Sequence, residues 1–457
     1  MDFPFGRRRG AYAVIGSAPP GAGAQLSASE REAFEFLDSL YRALCAILYN
    51  YVPSSGHPGG SISSGRIVAG LLFDSLDYDV SRPDREEADV LSYAAGHKAM
   101  GLYSMWALRD EIARLGAPEL LPNLGQRLRL EDLLGFRRNP LTSTPLFRGV
   151  HAKALDGHPT PATPFVALAT GASGVGVASS IGYALGARDY YGQDAPRVHV
   201  LEGEGGLTPG RVAEALAAAG TSSLDNVFVH VDWNQSSIDS DRVCPEGGRP
   251  GDYVQWTPPE LFHLHDWNVV LVEDGMDFDQ VIAAQRQAAA FRTGQPTAIV
   301  YRTVKGWRYG IEGRASHGAG HKLCSAGFYA AVEPGGCPAP ELPRCEEGRR
   351  RCDSPSDGRS VMEQCFWEAL SVVRDRLEGR RGGVETLSRR LVAARERLDR
   401  RGRRPVPRAP RVETVYDLSL SAAGAVPAEL RLAPGAVTTL RHELGRALGH
   451  LNRASGG

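Results

Sequence analysis

Apolar residues return every three or four positions after Ser29. Phe34, Leu37, Leu40, Tyr41, Leu44, Ile47 and Leu48 share one face, which predicts an amphipathic helix. The stretch Pro53-Ser54-Ser55-Gly56-His57-Pro58-Gly59-Gly60 interrupts it as a loop, and a second helix is expected from Ser64. Other runs are short and rich in β-branched residues: Leu91-Ser92-Tyr93, residues 197–201, 227–232, 268–272 and 297–301. Each reads as a buried strand, and residues 165–169 form a further strand-like run before a glycine-rich loop. Residues 105–160 read as helical and then looped around His158. Strands alternating with helical segments predict an α/β fold, a parallel sheet with helices on both faces.

The pattern changes near Glu333. Residues 1–28 are rich in Gly, Pro and Ala and are expected to be a mobile arm. Residues 29–332 carry the α/β pattern, and 333–411 read as a linker containing a helical segment at 361–401. In that segment Trp367, Leu370, Val373, Leu377, Leu387 and Leu391 are the apolar positions. Residues 412–457 are a short tail ending in a helix at 439–452, and no internal repeat is visible.

Composition narrows the function. Lys and Arg total 52 against 53 Asp and Glu, so no polyanionic partner such as nucleic acid is implied. The runs at 349–351 and 400–404 lack interleaved aromatics and read as solvated helix faces. No apolar run reaches the roughly 18 residues of a membrane helix. Seven cysteines, an odd number, without zinc-type spacing read as free thiols in a cytoplasmic protein.

The chemistry concentrates at two strand ends. Gly203-Glu204-Gly205-Gly206 follows one strand, and Asn234 follows the next. In a parallel sheet these ends lie side by side. A carboxylate and an amide oxygen are hard ligands of the kind Mg²⁺ takes, with phosphate and water completing the shell. Thiamine diphosphate is a cofactor that needs a metal-bridged diphosphate at such an edge. The loop from Thr170 through Gly171 to Gly176 would let backbone N–H groups approach a diphosphate. His57, His97, His158 and His317 each stand in a loop or glycine-rich context, consistent with one polar pocket that binds hydroxyls or moves protons. His265 and His321 have no such context and read as surface residues.

Taken in order, these stretches resemble the N-terminal, diphosphate-binding half of a transketolase over roughly residues 30–330. The resemblance rests on residues 55–60, 91–103, 157–159, 170–176, 203–234 and 316–318. It implies a thiamine diphosphate-binding fold. It implies Mg²⁺ on Glu204, Asn234 and the backbone carbonyl of Ser236. Gly171, Gly203, Gly205, His97 and His317 would contact the cofactor, and His57, His97, His158 and His317 would line the cofactor and sugar channel. Glu214 would stand near a dimer interface. The sequence departs from the family in having Glu204 where Asp is usual, and Pro209 where an acid usually precedes the glycine.

The expected activity is transfer of a two-carbon ketol unit between sugar or sugar-phosphate substrates. Transketolases continue into a pyrimidine-binding domain whose Glu activates the cofactor. Residues 412–457 would be the start of such a domain, so a second polypeptide carrying the pyrimidine-binding and C-terminal domains is expected. The assembly would be a heterotetramer or based on a homodimer. Two alternatives stand beside this reading. One is a thiamine-dependent 2-oxoacid decarboxylase or dehydrogenase component, or a deoxyxylulose-phosphate-synthase relative. The other is a non-catalytic regulatory paralogue. The four histidines favour the hydroxyl-rich substrates of ketol transfer.

Overall fold

The computed structural model describes residues 6–16, 26–52, 56–137, 144–247, 249, 252–318, 320–321, 325–338, 341–343, 358–411 and 426–456. Six strands form one sheet: β1 (Tyr12–Ile15), β2 (Val90–Tyr93), β3 (Val198–Gly203), β4 (Val227–Trp233), β5 (Asn268–Val272) and β6 (Thr297–Arg302). Their order is β1-β5-β6-β4-β3-β2 and every pairing is parallel.

Side-chain alternation along the strands builds two cores, because successive residues point to opposite faces. Val198, Val200, Val229, Val231 and Val300 pack on one face against α6 (Val175–Tyr191), α7 (Gly210–Thr221) and α8 (Pro258–Leu264). Leu201, Phe228, Val270, Ile299 and Tyr301 pack on the other. That larger core is closed by α1 (Ala28–Tyr51), α3 (Gly65–Gly70), α4 (Ala99–Gly116) and α9 (Phe278–Ala290). The α/β architecture with helices on both faces therefore stands as expected. Among the described residues no helix is long and apolar enough to cross a membrane.

Helix α1 starts where its residues dictate. Ser27 caps it, accepting from the backbone N–H of Glu30 while the Glu30 carboxylate reaches back, a capping box.

Four sequence expectations are corrected. Within the supposed arm, Tyr12–Ile15 is the edge strand β1, paired with β5 and anchored by Arg9 Nε to Asp266 Oδ2 at 2.6 Å. It escaped detection because it is short and lies at the edge with no fully buried residue. Residues 165–169 are not a strand; Phe165 has a left-handed φ of 65° and covers Arg109. The segment expected to be a linker contains α11 (Gly358–Gly379) and α12 (Arg381–Arg401), and these helices belong to the domain core. Phe366, Leu370, Val373, Leu377, Leu387 and Leu391 are buried against α1 and α4, and full burial of each such side chain contributes about 1.5–3 kcal/mol. The arginines at the end of α12 are a solvated face only in part: Arg400 and Arg404 are exposed as expected, but others hold carboxylates. Arg397 and Arg401 hold Asp77, and the buried Arg403 holds Asp89 at 2.8 Å.

The C-terminal helix is present as α13 (Leu440–Ser455). Cys45, Cys244 and Cys337 are buried free thiols and Cys365 is buried, whereas Cys345, Cys352 and the run 349–351 lie outside the described residues.

Candidate cofactor-binding site

The carboxyl ends of β2, β3, β4 and β6 meet at one edge. Register places Gly203 opposite Asp232, and Trp233 opposite Arg302. Past the strand ends the chain delivers Gly96-His97-Lys98 after β2, Glu204 after β3, Asn234 after β4 and Lys305 after β6. His57 arrives from another direction, immediately before Pro58 at the start of α2 (Pro58–Ser63).

Asp232 is the centre of the edge. Its Oδ2 accepts from Ser63 Oγ at 2.5 Å, Lys98 Nζ at 2.6 Å and Asn234 Nδ2 at 3.0 Å. Thr303 Oγ1 donates to its Oδ1. A carboxylate only accepts, so Asp232 fixes the Asn234 amide with its nitrogen inward. The amide oxygen then points the other way and takes the backbone N–H of Ser236 at 3.0 Å.

Glu204 is 2% exposed. Its Oε2 accepts the backbone N–H of Asn234 at 3.3 Å, while Oε1 has no partner among the described residues. Burial, reinforced by the neighbouring Asp232 charge, pushes its carboxyl up to about 8. An unpaired buried carboxylate oxygen beside an oriented amide is what a site awaiting a cation presents. Among the described residues no three His, Cys, Asp or Glu side chains form a metal cluster. The candidate set is of another kind: one carboxylate, one amide and the Ser236 carbonyl. That carbonyl already accepts from Lys305 Nζ at 3.0 Å and keeps a second lone pair. The residues fit a Mg²⁺ that retains water and phosphate ligands.

Three of the four predicted histidines pack together. The His57 ring lies 5.1 Å from that of His97 and 4.3 Å from that of His317. His158 is exposed and lies across Gly171, whose missing Cβ would stand 3.3 Å from its ring. Gly171 in turn lies against Gly96, where a Cβ would meet the Gly171 nitrogen at 2.8 Å, so neither loop could approach with a side chain at Gly96. Gly174 starts α6 at a left-handed φ of 77°, a conformation L side chains rarely adopt. Around Gly205 there is open space, and Gly203 faces Lys98 Nζ.

Burial lowers the pKa of all four histidines. It is reinforced by Lys98 at His97, by Lys305 at His317 and by Arg137 at His158, and His317 falls to about 4. The rings are neutral near pH 7, and their partners set their tautomers. His57 Nδ1 donates to the His317 carbonyl at 2.8 Å, which leaves Nε2 as an acceptor. Lys305 Nζ donates to His317 Nδ1 at 3.0 Å, which leaves Nε2–H as a donor. Burial also lowers Lys305, to about 8.

Sequence reasoning missed Lys98, Asp232 and Lys305. Two of the chain's four lysines are buried at this edge, and that scarcity was the available signal. His321, read as a surface residue, is half-buried, and its Nε2 bonds the Tyr309 carbonyl at 2.8 Å.

These features define a class, a parallel α/β domain whose strand-end loops form a cofactor edge. Residues 127–325 match the family model described as transketolase, thiamine diphosphate binding domain. The family model and the curated relatives support a transketolase-family N-terminal thiamine diphosphate-binding domain. It is 31% identical over 265 residues to transketolase-like protein 2 of Mus musculus, covering 58% of this chain and 35% of that protein. Against the transketolase of Homo sapiens it is 29% identical over 252 residues, covering 55% and 34%. Among solved structures, the transketolase of Campylobacter jejuni superposes with a TM-score of 0.54 at 25% identity, covering 76% of this chain and 48% of that one. A Pichia stipitis transketolase in complex with sedoheptulose-7-phosphate shares the fold, with a TM-score of 0.53 at 22% identity over 82% of this chain and 48% of that one. The chain spans about a third of the length of the curated relatives it matches.

Proposed function

We propose that this chain is the thiamine diphosphate- and Mg²⁺-binding component of an enzyme that transfers a two-carbon ketol unit between sugar or sugar-phosphate substrates. The observation that carries the reading is the unpartnered, buried Oε1 of Glu204 beside the oriented amide of Asn234. Glu204, Asn234 and the Ser236 carbonyl would hold the metal. Backbone groups at Gly171, Gly203 and Gly205 would receive the diphosphate.

Thiamine diphosphate, when bound, supplies a carbon nucleophile and an electron sink. The chain's own residues supply orientation and proton handling. His317 offers an N–H to a substrate or diphosphate oxygen, His57 offers a lone pair to a hydroxyl, and Lys305 adds positive charge. His97 and His158 flank them from the turn after β2 and from the loop against Gly171.

The reading includes a second polypeptide with the pyrimidine-binding and C-terminal domains, joined to residues 412–457, in a heterotetrameric or homodimer-based assembly in the cytoplasm. Transketolase names among the relatives favour ketol transfer over 2-oxoacid decarboxylation. The test is calorimetric titration of thiamine diphosphate with and without Mg²⁺, then ketol-transfer assays of the chain alone and with the candidate partner. Mg²⁺-dependent binding with activity only in the mixture supports the proposal. Absence of cofactor binding in every combination overturns it and favours a regulatory paralogue.

A further inference from the structure

A second cavity, of about 400 Å³, opens at the amino ends of β3 and β4, lined by Arg197, His199, Phe228 and the ends of α9 and α12. It lies a strand length from the cofactor edge, ~20 Å for six residues. Five arginines line it, Arg197, Arg286, Arg292, Arg397 and Arg401, against two carboxylate residues, Asp74 and Asp77. Those two carboxylates are already engaged. Asp77 holds Arg397 at 2.7 Å and Arg401 at 2.9 Å, and Asp74 bridges Arg286 and Arg390.

Arg197 is left over. Its guanidinium has no hydrogen bond or ion pair among the described residues and lies 5.9 Å from the Phe228 ring. The positive charge of the cavity is thus uncompensated by its own walls.

A buried polar chain ends at the same cavity. Tyr301 Oη meets His230 Nδ1 at 3.0 Å, and His230 Nε2 meets His199 Nδ1 at 2.9 Å. His199 is 4% exposed, and its Nε2 has no partner among the described residues. With Tyr301 donating to His230, the chain terminates in a His199 N–H donor at the cavity wall. A buried donor without an acceptor costs about 1–3 kcal/mol, which an incoming acceptor recovers.

We propose that this cavity binds the phosphate group of a small anionic metabolite, with Arg197 and His199 as its principal ligands. A guanidinium is suited to phosphate because two parallel N–H groups match two oxygens. The cavity volume suits a phosphate ester of a few carbons. This site is separate from the diphosphate-binding edge and does not depend on the function proposed for it.

The test uses the full chain, titrated calorimetrically with inorganic phosphate and with glycerol 3-phosphate. Saturable binding of about one equivalent is expected. Arg197→Gln should weaken it about tenfold or more. Arg380→Gln, at an exposed arginine between α11 and α12 and outside both sites, should leave it unchanged. The imidazole Nε2 resonance of His199 should shift as ligand is added. Either order of the two affinities supports the cavity, and a tighter ester places the carbon part against Phe228. If Arg197→Gln fails to fold, Arg292→Gln at the exposed rim serves in its place and should weaken binding severalfold. Absence of saturable binding by both probes, unchanged affinity in a folded variant, or equal loss in Arg380→Gln overturns the proposal.

Discussion

Lys98 Nζ and Asp232 Oδ2 stand 2.6 Å apart, with side chains 2% and 0% exposed. This buried ion pair joins the turn after β2 to the end of β4 and orients the Asn234 amide through the shared carboxylate. Breaking such a pair leaves a lone buried charge, which costs about 3–5 kcal/mol. Lys98→Met should therefore lower unfolding free energy by that amount in denaturant titration. Asp232→Asn should do the same, and the double variant should lose less than the sum. Additive losses would show that the two groups are not coupled.

Glu204→Gln separates metal binding from folding. The substitution keeps the shape but removes the charge a cation needs. Mg²⁺-dependent affinity for thiamine diphosphate should fall by about 1–3 kcal/mol, or roughly 5–150-fold. The melting temperature of the metal-free protein should hold or rise near pH 7, because the buried carboxyl, pushed up to about 8, no longer has to take up a proton on folding. Glu204→Asp should not improve on the wild type if the loop is already fitted to the longer side chain. Titration calorimetry beside thermal melts decides both points.

The histidine cluster should act on turnover rather than folding. His317→Ala and His158→Ala remove side chains from loops, so melting temperatures should move little while kcat/KM falls in the assembled enzyme. Nitrogen-15 spectra of the imidazoles should show His57 protonated on Nδ1 and His317 on Nε2 at pH 7. Reversed tautomers would contradict the assigned donor and acceptor roles.

Acid should destabilise this fold through its neutral buried histidines. His199 is lowered from 6.5 to about 3 by burial, and His317 to about 4 by burial and Lys305. Between those values and pH 6.5 the unfolded chain binds protons that the folded chain does not. The histidines' contribution to stability is therefore full above pH 6.5 and is lost as pH drops toward 4. Urea titrations across that range should show the decline, and His317→Gln should make it shallower. A flat profile in the wild type would refute the buried-neutral assignment.

The helices beyond residue 357 should be indispensable to the domain. Leu391 is fully buried in the core shared with α1 and α4. Leu391→Ala should cost about 2–5 kcal/mol. Removing residues 358–411 should yield a protein that loses cooperative melting. A shortened chain that melts as sharply as the full one would restore the linker reading.

Local pattern alone determined much of this protein. The alternation and β-branching at 197–201, 227–232, 268–272 and 297–301 specified strands because burial on both faces leaves an apolar run in the sequence. Glycine, histidine and carboxylate placements at strand ends specified the cofactor edge, because parallel sheets bring those ends together whatever lies between. Tertiary structure decided the rest. The pairing of β1 with β5 spans more than 250 residues, and an edge strand of four residues carries no local signature. The core role of α11 and α12 was hidden because their arginines, now paired with Asp77 and Glu111, read as solvated in isolation. Whether Lys98, Asp232 and Lys305 meet at the edge, and whether His199 ends at an arginine-lined cavity, depends on distances set only when distant segments pack. A polar residue in a strand or turn has no partner in the sequence; the fold assigns it one.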